Sequence, residues 1–326
     1  MEKTSHSKNF AIVSGTDDSI DQRDRIIRKR WERVTNTLEL EPAPLHVDVE
    51  LSNICDLKCE MCERRLMKRA LGMMSMETFR KIIDECQEIN VDSVKLNLWG
   101  ESILNKNLIE MIRYAKENSN LVLQFNTNGY HMTPEISEGL IDAALDKITI
   151  SLDGISKQTY EKVRRGSNFE KVMANINTLL QKKIEKKSRL PLVTLQIIRM
   201  SITEHEVDLF VDYWKDRVDY VSVTNIGATT ADEKVLSLSL REQDRFGFVS
   251  CEQLWQRLSI LWDGTVTVCC NDFDGFLAIG KIGLDSLKDL WGGDKLAHLR
   301  ERHKNLNFDG LICAKCANIV HYKNSK

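Results

Sequence analysis

Short runs in which apolar and polar residues alternate recur along the chain, separated by stretches whose apolar residues return every three or four positions. The alternating runs are LHVDVEL (45–51), SVKLNLW (93–99), LVLQFNT (121–127), KITISLD (147–153), LVTLQII (192–198) and DYVSVTN (219–225). A period of two predicts strands. The intervening stretches 75–90, 105–118, 133–145, 168–186 and 203–216 carry the helical period. Ser75 before Met76, and Thr133 before Pro134, suit helix N-caps. Six strands joined by crossover helices predict an α/β fold with a parallel sheet, curved into a partial (β/α)6 TIM-like barrel or left open.

The pattern changes at both ends. Residues 1–44 begin polar. In SIDQRDRIIRKRWERVTNTL (19–38), Ile20, Ile26, Ile27, Trp31, Val34 and Leu38 then share one helical face. An amphipathic helix packed on the main body is expected. A docking surface for an acidic partner, built from Arg23, Arg28, Lys29 and Arg30, is the alternative. Residues 226–249 lose the period and read as a linker. From 250 onward, LSILWDGTVTVCC (258–270) predicts a hairpin turning at Asp263-Gly264, followed by short helices at 286–291 and 295–304.

Composition narrows the function classes. The chain of 326 residues is 42% apolar, enough for a substantial core. Lys and Arg number 46 against 48 Asp and Glu, so no one-sign field suits a nucleic acid. The start, MEKTSHSKNF, has no apolar segment of the export type, and no run of 18 apolar residues occurs. Neither a signal peptide nor a membrane span is expected, which points to a cytoplasmic protein. Nine cysteines in such a chain read as metal ligands or reactive thiols rather than disulfides.

Three of those cysteines, Cys55, Cys59 and Cys62, follow the first strand as C-x3-C-x2-C. A structural zinc site takes four ligands, usually as two close pairs. A cubane iron–sulfur cluster held by three thiolates keeps one iron free. In parallel barrels, chemistry sits at the C-terminal ends of the strands. The later strands there run into WGES with Glu101, NTNG, SLDG, Arg199 and Asn225, all polar. In the tail, Cys251, Cys269 and the pair Cys313-x2-Cys316 make a possible closed four-thiolate site, for which zinc alone would be the default.

The Cys55-x3-Cys59-x2-Cys62 motif and its strand-end loops resemble the radical S-adenosylmethionine superfamily over about residues 45–225. The resemblance implies a [4Fe–4S] cluster on the three thiolates, with S-adenosylmethionine chelating the fourth iron. Reductive cleavage then gives a 5′-deoxyadenosyl radical that abstracts a substrate hydrogen. Soft thiolates suit such clusters, and a cofactor supplies radical chemistry that side chains cannot. By position, LWGES stands where the family has GGE, with Trp99 in place of the first glycine. Backbone at Trp99–Gly100 and the Glu101 carboxylate are expected to receive the cosubstrate's amino group. Asn126 and Asn128 are expected near the cosubstrate, Ser151 and Asp153 against its ribose or carboxylate, Arg199 against its carboxylate, and Met61 against adenine.

The tail resembles the SPASM, or shortened "twitch", extension, carried by DGTVTVCCND and LICAKC. This implies a second, auxiliary [4Fe–4S] cluster on Cys251, Cys269, Cys313 and Cys316. The expected organisation is an N-terminal extension (1–44), the barrel (45–225), a linker (226–249) and the cluster domain (250–326). A reductase, flavodoxin or ferredoxin would supply electrons. Dehydrogenation of a sugar, polyol or aminocyclitol-like small molecule is the expected reaction. Radical epimerisation of a sugar and modification of a ribosomal peptide are alternatives, and a zinc-stabilised binding protein is the non-enzymatic one. Of the remaining cysteines, Cys86 is expected in the core, while Cys270 is a spare, a ligand in place of Cys269, or a hydrogen donor to a substrate radical.

Overall fold

The computed structural model of the chain describes residues 10–14, 22–226, 232–240, 245–248, 250–316 and 320–322. Each alternating run forms a strand: β2 (His46–Val49), β3 (Ser93–Lys95), β4 (Val122–Thr127), β5 (Lys147–Ser151), β6 (Leu192–Arg199) and β7 (Tyr220–Asn225). They pair in parallel, in chain order. The 93–99 run leaves the sheet after Lys95. There the Asn97 side chain, through Oδ1, accepts the Asn126 amide at 2.8 Å in place of a neighbouring strand's carbonyl. At this end of the sheet a strand that was not foreseen, β1 (Phe10–Ser14), pairs antiparallel with β7 and forms the edge.

Helices α1 (Gln22–Thr37), α2 (Met76–Glu88), α3 (Leu108–Asn118), α4 (Pro134–Asp142), α6 (Phe169–Glu185) and α7 (Val207–Trp214) fall where the helical period placed them. Ser75 and Thr133 cap α2 and α4 through the amides of Thr78 and Ile136. A further short helix, α5 (Lys157–Val163), escaped the pattern because only Thr159, Tyr160 and Val163 turn inward. Its Ser156 cap accepts the Thr159 amide. Helix α1 meets the body less fully than its pattern suggests. Val34 is buried and Trp31 is half-buried, but Ile26 is 54% exposed, and Ile20 lies outside the described residues. Of its basic residues, Arg30 is engaged by Asp92 and Glu41 of the body itself.

The two faces of the sheet differ sharply. Val47, Val94, Leu123, Phe125, Ile148 and Leu195 point toward the helices and are fully buried. Each such side chain contributes roughly 1.5–3 kcal/mol. The alternate positions Lys95, Gln124, Asn126, Thr149, Ser151 and Gln196 are polar and only half-buried. A closed eight-stranded barrel fills its interior with branched aliphatics. Here the concave face is instead a polar chamber.

The tail continues the same sheet. After a short helix α8 (Glu233–Leu236) and strand β8 (Arg245–Phe248), strand β9 (Arg257–Ile260) pairs in parallel with β2. Strands β10 (Thr265–Thr267) and β11 (Ala278–Lys281) add on antiparallel. The expected two-residue turn is longer by one. Leu261 donates to the Thr265 carbonyl at 2.8 Å across Trp262, Asp263 and Gly264. Gly264 takes the left-handed φ of 86° that such a loop requires. Helices α9 (Leu287–Gly292) and α10 (Asp294–Lys304) follow, and β12 (Val320–Tyr322) pairs with β8.

Candidate active site

Cys55, Cys59 and Cys62 lie half-buried in the loop after β2. That loop is shaped by residues outside the cysteine motif. Asn53 accepts the Gly72 amide and donates to the Ala70 carbonyl, both at 2.8 Å. Arg64 donates to the carbonyls of Asn53 and Cys55 at 3.2 Å each. The loop after β3 lies directly against it. Glu101 donates its amide to Ile54 at 2.9 Å. A Cβ on Gly100 would stand 2.0 Å from the Ser52 carbonyl oxygen, so only glycine permits this approach.

The expected cosubstrate residues fall into two groups. Ser151 and Asn126 face the chamber half-buried, and the Ser151 hydroxyl makes no hydrogen bond to a described residue. Met61 packs on a small apolar cluster of Val163, Met200, Ile226 and Val235. The others are already engaged. Glu101 is 3% exposed, and its carboxylate accepts the amides of Ile103 and Asn128 and the Thr127 hydroxyl. Burial nevertheless pushes its carboxyl up to about 7. Asn128 is buried and donates to Asp56 at 3.2 Å, and Asp56 also meets His131 at 3.1 Å. Arg199 sits 3.2 Å from Glu204.

Asp153 needs a correction. A direct contact to ribose or carboxylate was expected, yet it is fully buried with both oxygens occupied. Oδ1 accepts the Ile198 amide at 2.7 Å and Oδ2 the Arg164 guanidinium at 2.7 Å. Its φ of 51° lies in the left-handed region.

The second set of thiols converges from distant parts of the tail. Cys251 precedes β9, Cys269 follows β10, and Cys313 and Cys316 bracket a single turn in which the Cys316 amide donates to Cys313 at 2.9 Å. Burial raises the Cys251 thiol, and the neighbouring Glu252, Cys316 and Cys313 add to it. Burial likewise takes Cys313 to about 11. In the first set, burial takes Cys55 to about 12, with Glu101, Asp56 and Cys59 adding. Burial also raises Cys59, against the pull of Arg164. Among the described residues, no three such side chains close on a point that would hold a single ion. The fit to iron–sulfur groups rests on the donor set. One set has three free thiols, the other four, all half-buried, and partly desolvated thiolates gain from a positive centre.

Cys270 faces the chamber beside the second set. Its thiol lies 3.3 Å from Gln253 Oε1, and its electrostatic neighbours are Cys269, Arg257, Asp48 and Lys95. Asp48 and Arg257 meet at 3.3 Å within a buried polar network that includes Ser259, His46 and Ser93. Sequence reading missed this network. Its signal was the ionisable residues His46 and Asp48 at alternate positions of a predicted strand. Cys86 is fully buried in α2.

The model of the radical SAM superfamily matches residues 49–213, and that of an iron–sulfur cluster-binding domain, SPASM, matches residues 251–317. A probable GTP 3′,8-cyclase of Methanococcus maripaludis is 30% identical over 162 residues, 49% of this chain and 51% of its own. The chain thus spans about half the length of this curated relative. Among solved structures, BtrN in complex with AdoMet and 2-DOIA superposes with a TM-score of 0.57 at 16% identity, covering 83% of this chain and 92% of BtrN. Streptococcus suis SuiB bound to precursor peptide SuiA gives 0.65 at 13% identity, covering 91% and 74%. These likenesses establish the fold. No helix among the described residues is long and apolar enough to cross a membrane. The chain is a radical SAM enzyme with a C-terminal SPASM domain, whose cofactors are [4Fe–4S] clusters and S-adenosylmethionine.

Proposed function

We propose that the enzyme removes a hydrogen atom from a small hydroxyl- or amine-bearing molecule, a sugar, polyol or aminocyclitol, and completes its oxidation. Cys55, Cys59 and Cys62 would hold the cluster that engages S-adenosylmethionine, and Cys251, Cys269, Cys313 and Cys316 the auxiliary one. When bound, these groups supply a 5′-deoxyadenosyl radical and a one-electron acceptor.

The chain's own residues do the rest. The backbone at Trp99–Gly100, pressed onto Ser52 beside the cysteine loop, would receive the cosubstrate's amino group. Glu101 fixes that loop against Asn128 rather than reaching outward itself. Ser151 and Asn126 are left to meet the cosubstrate. Lys95 faces the chamber, with no hydrogen bond or ion pair to a described residue, and is placed to anchor substrate. Cys270 is placed to return a hydrogen atom if the reaction is an epimerisation.

One observation carries this reading: the concave face of the sheet is polar and half-buried at Lys95, Gln124, Asn126, Thr149 and Gln196. A ligand dense in hydrogen-bonding groups matches such a lining, because unpaired polar walls penalise an apolar occupant. The fold-level likeness to BtrN, solved with 2-DOIA, agrees. A second reading, modification of a peptide, has the likeness to SuiB with its precursor peptide in its favour. The test is 5′-deoxyadenosine formation by anaerobically reconstituted enzyme, offered separately a polyol and amino-sugar pool and a peptide pool. Stimulation by the peptide pool alone would discard the small-molecule reading.

A further inference from the structure

Arg164 stands just beyond α5 with its side chain 11% exposed. Its Nε donates to Asp153 Oδ2 at 2.7 Å, and Nη2 pairs with the same carboxylate. The third nitrogen, Nη1, donates to the Cys59 sulfur at 3.7 Å. The backbone laces the same segments together. Lys58 donates its amide to the Arg165 carbonyl at 2.9 Å, and Glu60 to Val163 at 3.0 Å. Arg165 adds an ion pair to Glu60. Asp153 is itself held by the Ile198 amide. The guanidinium is therefore fixed on both sides, with its positive edge on a sulfur. Cys55 has the Leu57 amide as a donor, and among the described residues no cationic side chain donates to Cys55 or Cys62.

We propose that Arg164 is a positioning residue that raises the reduction potential of the iron–sulfur cluster on Cys55, Cys59 and Cys62 by holding a cationic N–H on the Cys59 sulfur. The inference rests on the reading that these three thiolates bind that cluster. Reduction adds one electron to a unit whose charge is partly on its sulfurs. A hydrogen-bond donor and a fixed cation stabilise the added electron, and such outer contacts are recognised levers on cluster potential. Asp153 keeps the guanidinium in place. Removing the cation should therefore shift the one cluster it touches and leave the other unmoved, which a merely structural role does not predict.

The experiment is an anaerobic redox titration of the full reconstituted chain, followed by electron paramagnetic resonance. The signal that changes on adding S-adenosylmethionine reports the cluster in question, and the other reports the tail. Arg164→Met should lower the reduction constant of the responsive signal at least tenfold, which for one electron is about 59 mV. The tail signal should stay put, and Arg164→Lys should recover part of the loss. Arg164→Lys decides the matter if Arg164→Met fails to load, since a compact ammonium cannot both pair with Asp153 and reach the Cys59 sulfur as the forked guanidinium does, and its couple should still lie below the parent's. An unmoved couple in a loaded Arg164→Met or, where that fails to load, in a loaded Arg164→Lys, or equal shifts of both signals, would overturn the inference. A parent protein with no signal responsive to S-adenosylmethionine would overturn the underlying assignment of the cysteines, a distinguishable failure.

Discussion

Trp99 Nε1 donates to the Cys270 carbonyl across 3.0 Å, joining the loop after β3 to the residue next to a tail thiol. The indole also meets Phe273 edge-on, with centroids 5.1 Å apart. A side chain of the barrel thus reaches the tail. Trp99→Phe keeps the ring and removes the donor, which should cost about 1 kcal/mol. Trp99→Gly loses both contacts and should cost about 2–3 kcal/mol, less than a fully buried aromatic. Urea unfolding of the anaerobic holoprotein measures both. Equal stability of Trp99→Gly and parent would mean that the two loops do not depend on each other.

Metal content is the most direct check on the cysteine assignment. Two [4Fe–4S] clusters correspond to about eight irons per chain and as many sulfides. Replacing Cys55, Cys59 and Cys62 together by alanine should leave about four. Stoichiometric zinc without sulfide, in protein made and kept without oxygen, would contradict both assignments.

The network behind the chamber makes an acid-stability prediction. Burial alone would raise the Asp48 carboxyl, but Arg257 and His46 outweigh it and hold the carboxyl far below its usual range. A lowered folded-state value contributes stability that is present above the unfolded value near 4 and lost as pH falls below it. Asp48→Asn should therefore flatten the acid limb of the stability–pH curve. It should also cost about 3 kcal/mol near neutrality, because Arg257 is left without its partner. Thermal or urea unfolding from pH 3 to 7 measures it, and an unchanged acid slope in Asp48→Asn would show that the pair does not carry the effect.

These two levels were not equally legible in the sequence. The six strands were readable because each pairs a buried apolar face with a polar one, and alternation records that directly. The family was readable because three thiols at fixed spacing have few other uses. Neither β1 nor the place of β9 beside β2 could be read, since both depend on long-range pairing of short, ordinary segments. Asp153 illustrates the limit at the site. Its position in SLDG located it correctly at a strand end. Which way its carboxylate faces was decided by Arg164 and the Ile198 amide, which the motif does not contain.

Lys95 offers a test of the chamber from a strand residue outside both cysteine sets. It shares register with Asp48 on one side and Gln124 on the other, and it has no ion pair among the described residues. Lys95→Met should leave iron content and the slow, substrate-free cleavage of S-adenosylmethionine unchanged. Once a substrate is in hand, KM should rise by about tenfold or more, the size of one lost charge-assisted hydrogen bond. An unchanged KM would place the substrate elsewhere.

Oxidation and epimerisation begin with the same hydrogen abstraction, so 5′-deoxyadenosine cannot tell them apart. Oxidation must export an electron and a proton from the substrate radical. The tail thiols, four in number, suit a coordinatively closed acceptor for that electron. Epimerisation must return a hydrogen atom to the opposite face, and Cys270, 3.3 Å from Gln253 and beside Lys95 and Asp48, is the thiol placed to give it. The expected product is lighter than its substrate by two hydrogens, and Cys270→Ala should retain turnover. A product of unchanged mass in ordinary water, gaining one deuterium in heavy water, with both product and deuterium lost in Cys270→Ala, would reverse the order of the two reactions. Mass spectrometry of parent and variant reactions decides it, since a thiol donor exchanges with solvent and an electron acceptor leaves no isotope behind.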